Sequence, residues 1–190
     1  MRTTSSDIQR RLSSRLSISR CKFAYALLLL LWFCSSLQAA TFSGTVIKIN
    51  DGDTLTILSA KQSYKIRLLA IDAPEHDQAF GATSKQHLAD LILGKSVTVT
   101  WQQRDSYQRI VGQVFITDPN CKTHTCSNTV DVNLQQVLTG SAWWYRHYAS
   151  AQTRKDAARY QQAEDQARHL RIGLWSQSQP IAPWLWRRNR

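Results

Sequence analysis

From Phe42 onward the apolar positions fall into short alternating runs separated by turn-forming residues. Thr45-Val46-Ile47-Lys48-Ile49 is rich in β-branched side chains and runs into Asn50-Asp51-Gly52-Asp53, which predicts a strand and a tight turn. Thr54-Leu55-Thr56-Ile57-Leu58 alternates and predicts the return strand. Tyr64–Ile71 predicts a third strand, with Ile66, Leu68 and Ala70 on one face and Arg67 on the other. Residues 79–93 switch to helical spacing through Leu88, Leu91 and Ile92, with Gly94 closing the helix. Lys95–Gln103 and Ile110–Thr117 read as two further strands about a polar turn. Val130–Leu138 reads as a helix ended by Gly140, and 150–172 as a long polar amphipathic one stopped near Gly173. Five short strands point to a small closed barrel. The expected fold is therefore α+β, mainly β, with about three helices in one domain over residues 41–176.

The first forty residues differ from the rest. Residues 1–22 hold Arg2, Arg10, Arg11, Arg15, Arg20 and Lys22 against Asp7, residues 23–34 are apolar, and Ser35–Ala40 are mostly small. A basic stretch, a short apolar core and a small-residue end predict a signal peptide over 1–40 and a periplasmic or secreted bacterial product. The apolar run falls short of the roughly 20 residues a membrane span requires; a retained anchor is the alternative. Without this segment, 24 basic and 13 acidic residues become 18 and 12, a net charge of +6. That suits a polyanionic partner. Cys121 and Cys126 stay behind in a polar loop, where an oxidising compartment favours a disulfide. A zinc site using His124 would fall short of four ligands. The tail, 177–190, is basic and rich in Trp without periodicity, and reads as a solvated basic arm, with an accessory contact to nucleic acid or membrane as the alternative.

Three fragments carry candidate chemistry: Asp51-Gly52-Asp53-Thr54, Arg67-Leu68-Leu69-Ala70-Ile71-Asp72-Ala73-Pro74-Glu75, and Asp105-Ser106-Tyr107-Gln108-Arg109. Each alone is ordinary, since Asp-Gly is a common hairpin turn and Asp-Ala-Pro-Glu a common strand end. Together they supply what phosphodiester hydrolysis needs, a proton acceptor for water and positive charge on the phosphoryl oxygens. Asp53 and Asp72 offer hard oxygens to a Ca²⁺-sized cation. Glu75, behind a stiffening proline, is near enough to meet the cation's waters. Arg67 and Arg109 present planar forks suited to phosphate.

In order and spacing these motifs resemble the staphylococcal (micrococcal) thermonuclease family, from about Phe42 to the Gly173-Leu174-Trp175 ending. The resemblance implies a five-stranded OB-type barrel and a Ca²⁺-dependent nuclease acting on DNA or RNA and leaving 3′-phosphates. It also implies roles. Asp53, Asp72 and the backbone carbonyl of Ala73 would ligate Ca²⁺, with Asp51 behind them near a metal-bound water. Glu75 would act as general base or orient the water, and Arg67 and Arg109 would bind the scissile phosphate. Tyr107 would contact the nucleotide, and Tyr148, in Trp143-Trp144-Tyr145-Arg146-His147-Tyr148, would be the base platform. Ala73 stands where the family's prototype has Thr, and Ser106 where it has Lys. No obligate protein partner follows from the sequence, and a monomer is expected. The competing readings are a non-catalytic nucleic-acid-binding barrel and an envelope-anchored basic structural protein.

Overall fold

A computed structural model describes residues 39–117 and 129–189. The expected signal peptide, apart from its last two residues, and the Cys121–Cys126 disulfide lie outside the described residues. Strands β1 (Ala40–Ile49), β2 (Thr54–Ser59) and β3 (Gln62–Leu68) form an antiparallel meander. A two-residue strand, β4 (Ile71–Asp72), and helix α1 (Gly81–Ile92) follow. Next come β5 (Ser96–Arg104), β6 (Ile110–Thr117), β7 (Thr129–Asp131) and helix α2 (Val132–Leu138). A short β8 (Trp143–Trp144), helix α3 (Arg154–His169) and helix α4 (Pro183–Arg188) follow, with 3-10 turns at Arg146–Ala151 and Gly173–Ser176, so that the helix expected over 150–172 begins only at Arg154.

The main sheet runs β3-β2-β1-β5-β6-β7, and β3 also pairs in parallel with β6 through Ile66↔Ile110, Arg67↔Val111 and Leu68↔Gly112. That pairing closes β1, β2, β3, β5 and β6 into the expected five-stranded OB-type barrel. Closure demands curvature, and register shifts between Val46 and Lys48 in β1 and between Trp101 and Gln103 in β5 supply it. Alternation along the strands fills the interior with Leu55, Ile57, Ile66, Val99 and Val114, all fully buried. Leu88 and Ile92 of α1 join the same core. Polar α3 buries Tyr160, Ala163, Glu164 and Ala167, a single helical stripe.

Two expected elements are divided. The strand predicted through Ile71 stops at Leu68 because Ala70 turns with a φ of 62°. The turn is fixed by Leu69 N–H donating to the Gly112 carbonyl at 2.8 Å and Asn133 Nδ2 donating to the Leu69 carbonyl at 3.0 Å. The helix predicted from Val130 starts at Val132, because Thr129–Asp131 pairs with β6 and Asp131 caps the helix, accepting from Leu134 N–H at 3.1 Å.

Asn133 is the polar joint of this region. Fully buried, it donates to the carbonyls of Leu69 and Gly112 and accepts from Val114 N–H at 3.0 Å. Replacement by alanine would strip this partner from Val114 N–H and from the Leu69 carbonyl, while the Gly112 carbonyl would keep only Leu69 N–H. Asn133→Ala should therefore cost about 2–4 kcal/mol, read as a lower urea midpoint with an unchanged slope. A loss below about 0.5 kcal/mol, the scale of an ordinary surface substitution, would contradict this assignment.

Candidate active site

The turn between β1 and β2 brings the first carboxylates into place. Asp51 Oδ1 accepts from Asp53 N–H at 3.0 Å, an Asx-turn contact. Gly52 is required by close approach, since a Cβ there would stand 1.9 Å from Ser84 Oγ and 2.7 Å from Ala73 Cβ. Its carbonyl accepts from buried Gln136 Nε2 of α2 at 2.7 Å, and Gln136 Oε1 also contacts His87 Nδ1 of α1. Held between two helices, the turn points Asp53 at the segment after β4. Asp53 Oδ2 accepts from Ala73 N–H at 2.7 Å and Oδ1 from Thr54 Oγ1 at 3.0 Å.

Arg67 projects from the penultimate position of β3, opposite the apolar row of Ile66 and Leu68. Its Nη1 donates to the carbonyls of Leu68 and Ile71, each at 2.8 Å. Its Nη2 stands 2.9 Å from Asp72 Oδ1 and 3.2 Å from Asp53 Oδ2. One nitrogen thus gathers two nearly buried carboxylates. Opposite, the β5–β6 turn delivers Arg109, whose Nε donates to Asp105 Oδ2 at 2.7 Å. That pairing spares the two terminal nitrogens of Arg109.

All nine candidates among the described residues line one pocket of about 330 Å³: Asp51, Asp53, Arg67, Asp72, Ala73, Glu75, Tyr107, Arg109 and Tyr148. Tyr107 is 80% exposed and Tyr148 36%, as side chains that meet a ligand at the rim require. Trp143 and Trp144 are both buried, so the aromatic run divides between core and surface at the end of β8 and not by strand alternation, with Arg146–Ala151 turning into an exposed 3-10 helix. His76 is exposed on the loop after Glu75.

Two further lining side chains, Tyr145 and Arg187, have no place in the site that the sequence predicts. Tyr145 meets Tyr148 edge-on at 5.3 Å and lies tilted against Trp184 at 5.1 Å. Arg187 of α4 donates from Nη2 to Asp72 Oδ2 at 2.8 Å and from Nη1 to Glu75 Oε1 at 2.6 Å. The tail is therefore no free arm. Pro183 opens α4 at its first turn, and Trp184 meets Trp143 edge-on at 5.5 Å. The only sequence signal was a proline ahead of an aromatic and basic run, which says nothing of where a helix of six residues docks.

The charge pattern shifts protonation. Burial, reinforced by the neighbouring Asp53 charge, pushes the Asp51 carboxyl up to about 6. Burial also raises Asp72, against the opposing pull of Arg187 and Arg67. Asp105 goes the other way, because hydrogen bonds from Arg109 outweigh the effect of its burial. As donors, Asp53 and Asp72 are hard oxygen groups gathered on one side of the pocket, the chemistry a Ca²⁺-like cation takes. Among the described residues, however, no three side chains of ligating type stand arranged around a common cation position. Guanidiniums lie among the carboxylates instead.

Comparison with known proteins places the chain among nucleases by sequence. The family described as Staphylococcal nuclease homologue matches residues 65–177. An Escherichia coli protein described as an uncharacterized endonuclease is 35% identical over 166 residues, covering 87% of this chain and 98% of that one. A Shigella flexneri protein described as micrococcal nuclease is 40% identical over 151 residues, 78% of this chain and 82% of its own. A Haemophilus influenzae protein, also described as an uncharacterized endonuclease, is 37% identical over 173 residues, 90% and 88% of the two chains. The family match includes Arg67, Asp72, Glu75 and Arg109, whereas Asp51 and Asp53 precede it and Arg187 follows it.

The raised Asp51 carboxyl has a testable consequence for stability. Between about pH 4 and 6 the folded protein keeps a proton that the unfolded chain releases, so Asp51's contribution to stability falls as pH rises through that window and is level above it. In chelator, the native protein should lose stability relative to Asp51→Asn from pH 4 to 6. Parallel stability curves in denaturant titrations would exclude the shift.

Proposed function

On the footing that this chain belongs to the staphylococcal nuclease family, we propose that its pocket is the active site of a Ca²⁺-dependent nuclease hydrolysing phosphodiester bonds of DNA or RNA. The observation that carries the reading is the convergence of acids and arginines from three separate sequence fragments on one cavity. Asp53, Asp72 and the carbonyl of Ala73 would hold the cation, with Asp51 behind them. Bound there, Ca²⁺ would supply positive charge to a phosphoryl oxygen and hold water close to it.

The chain's own groups supply the remaining steps. Arg109 presents its terminal nitrogens to the phosphate while Asp105, kept ionised, fixes its direction. Arg67 keeps its charge beside the phosphate but spends most of its hydrogen bonds on the protein. Its part is to hold the carboxylates in place as well as to counter negative charge. Glu75 takes the proton of the attacking water as the phosphorus–oxygen bond forms. The phosphorus–O5′ bond breaks, and the departing 5′ oxygen takes a proton from solvent, giving a 3′-phosphate end. Tyr148, with Tyr145 beside it, offers a flat surface to a base, which binds without reading sequence. The order of basic, apolar and small residues over 1–40 supports export to the periplasm or medium.

Labelled DNA and RNA, incubated with the purified protein in Ca²⁺ or in chelator, test the reading directly. Native protein should cleave only with the cation. Glu75→Gln should lower turnover about 10²–10⁴-fold, the usual worth of a general base, while nucleic acid binding persists. Binding without cleavage by the native protein, whatever divalent ion is added, would instead make this a binding module.

Arg109→Ala separates transition-state from ground-state contact. Turnover should fall by about 10²-fold or more with a much smaller loss of affinity, because phosphoryl charge grows as the bond breaks. A variant that loses affinity alone would reassign Arg109 to positioning.

A further inference from the structure

The tail contact at the pocket has a chemistry of its own. Asp72 is 1% exposed, and both its oxygens already accept from arginine. Oδ1 takes Arg67 Nη2 at 2.9 Å and Arg187 Nη1 at 3.3 Å, and Oδ2 takes Arg187 Nη2 at 2.8 Å. The same Nη1 reaches Glu75 Oε1 at 2.6 Å. A single planar fork therefore spans the carboxylate proposed to hold the cation and the one proposed to activate water.

Delivery of that fork is built into the fold. Gln78 is nearly buried and ties the Glu75 loop to the tail with both ends of its amide. Oε1 accepts from Glu75 N–H at 3.1 Å, and Nε2 donates to the Ile181 carbonyl at 2.6 Å. Ala182 and Pro183 are buried, and Trp184 rests on Trp143 and Tyr145. These contacts fix the start of α4 independently of any charge, and one helical turn later Arg187 faces the carboxylates.

We propose that Arg187 is an intrinsic counter-cation of this site: it occupies the Asp72–Glu75 pair in the cation-free protein and must be displaced for a divalent cation to bind. The inference rests on the cation-dependent reading above. A guanidinium and a hard cation need the same lone pairs of Asp72, and two like charges at one carboxylate repel. Arg187 thus sets the apparent cation affinity, because only the fraction of molecules with the fork withdrawn is competent to bind. It also keeps Glu75 engaged until the cation arrives, which holds the nuclease idle without it.

Calorimetric titration of the full-length protein with Ca²⁺ alone, without nucleic acid, decides the matter. If the fork is docked about nine-tenths of the time, Arg187→Ala should bind Ca²⁺ about tenfold more tightly than the native protein. Arg187→Lys, which keeps charge but loses the planar fork, should fall between them. Arg188→Ala removes the same charge from the same helix and should leave the affinity unchanged, which separates displacement from a general loss of positive charge. Equal affinities for native and Arg187→Ala proteins, or an equal gain in Arg188→Ala, would overturn the inference while leaving the cation site standing. No Ca²⁺ binding by any of the four would overturn both.

Discussion

The guanidinium of Arg67 is the interaction on which the site depends. Its backbone sits at the seam that closes the barrel, opposite Thr54 of β2 on one side and Val111 of β6 on the other. Its side chain makes the turn after β3 possible by taking the carbonyls of Leu68 and Ile71, and gathers Asp53 and Asp72 on one nitrogen. The two carboxylate side chains are 9% and 2% exposed. Buried charges of this kind are costly when unpaired, roughly 3–5 kcal/mol once a partner is removed. Closing the barrel therefore also assembles the acids, and the fold and the chemistry share one residue.

Around that centre, the loops are positioned less by apolar packing than by two buried amides on one face of α2. Asn133 and Gln136 lie one turn apart, both fully buried. Between them they bind the carbonyls of Leu69, Gly112 and Gly52, one from each segment that bears active-site groups. A loop carrying a carboxylate needs its backbone polar groups satisfied if it is to be buried and rigid, and amide side chains do this without adding charge to an already charged pocket. Glu164 plays the charged counterpart on α3, where it accepts from Trp144 N–H at 3.2 Å and pairs with Arg146 at 2.9 Å. The strand that leads into the aromatic surface is thereby tied to the long helix.

How far the sequence disclosed this follows from which signals are local. Strand alternation, the Asn50–Asp53 turn and helical spacing over 79–93 depend on near neighbours, and the barrel that they predict is the one observed. The acids and arginines were legible because their chemistry is distinctive and their order resembles a known pattern. What escaped detection depends on contacts distant in sequence. Ala70 has no reason of its own to adopt a left-handed φ; beside Arg67, the turn is held by groups far along the chain, Asn133 Nδ2 donating to the Leu69 carbonyl and the Gly112 carbonyl accepting from Leu69 N–H. Asp131 looked like part of a helix because capping is decided by the strand that precedes it. Arg187 lies 112 residues from Glu75, and no periodicity in a six-residue helix announces such a contact.

The presence of Arg187 becomes intelligible from the charges of the pocket as a whole. Five carboxylates line it, Asp51, Asp53, Asp72, Glu75 and Asp105, against three guanidiniums, Arg67, Arg109 and Arg187. Asp105 and Arg109 neutralise each other locally. Four acids then face two arginines, a deficit of two positive charges, and a polyanion has no reason to enter. Without Arg187 the imbalance would grow to three, and Asp72, which burial already raises, would lose one of the two guanidiniums that oppose the rise. Given the proposed cation site, a tail arginine and a divalent cation would answer the same electrostatic demand in different states. The first keeps the acids charged and ordered while no cation is bound. On the proposed reading, the second would supply the positive charge that lets phosphate approach and would leave Glu75 free for water.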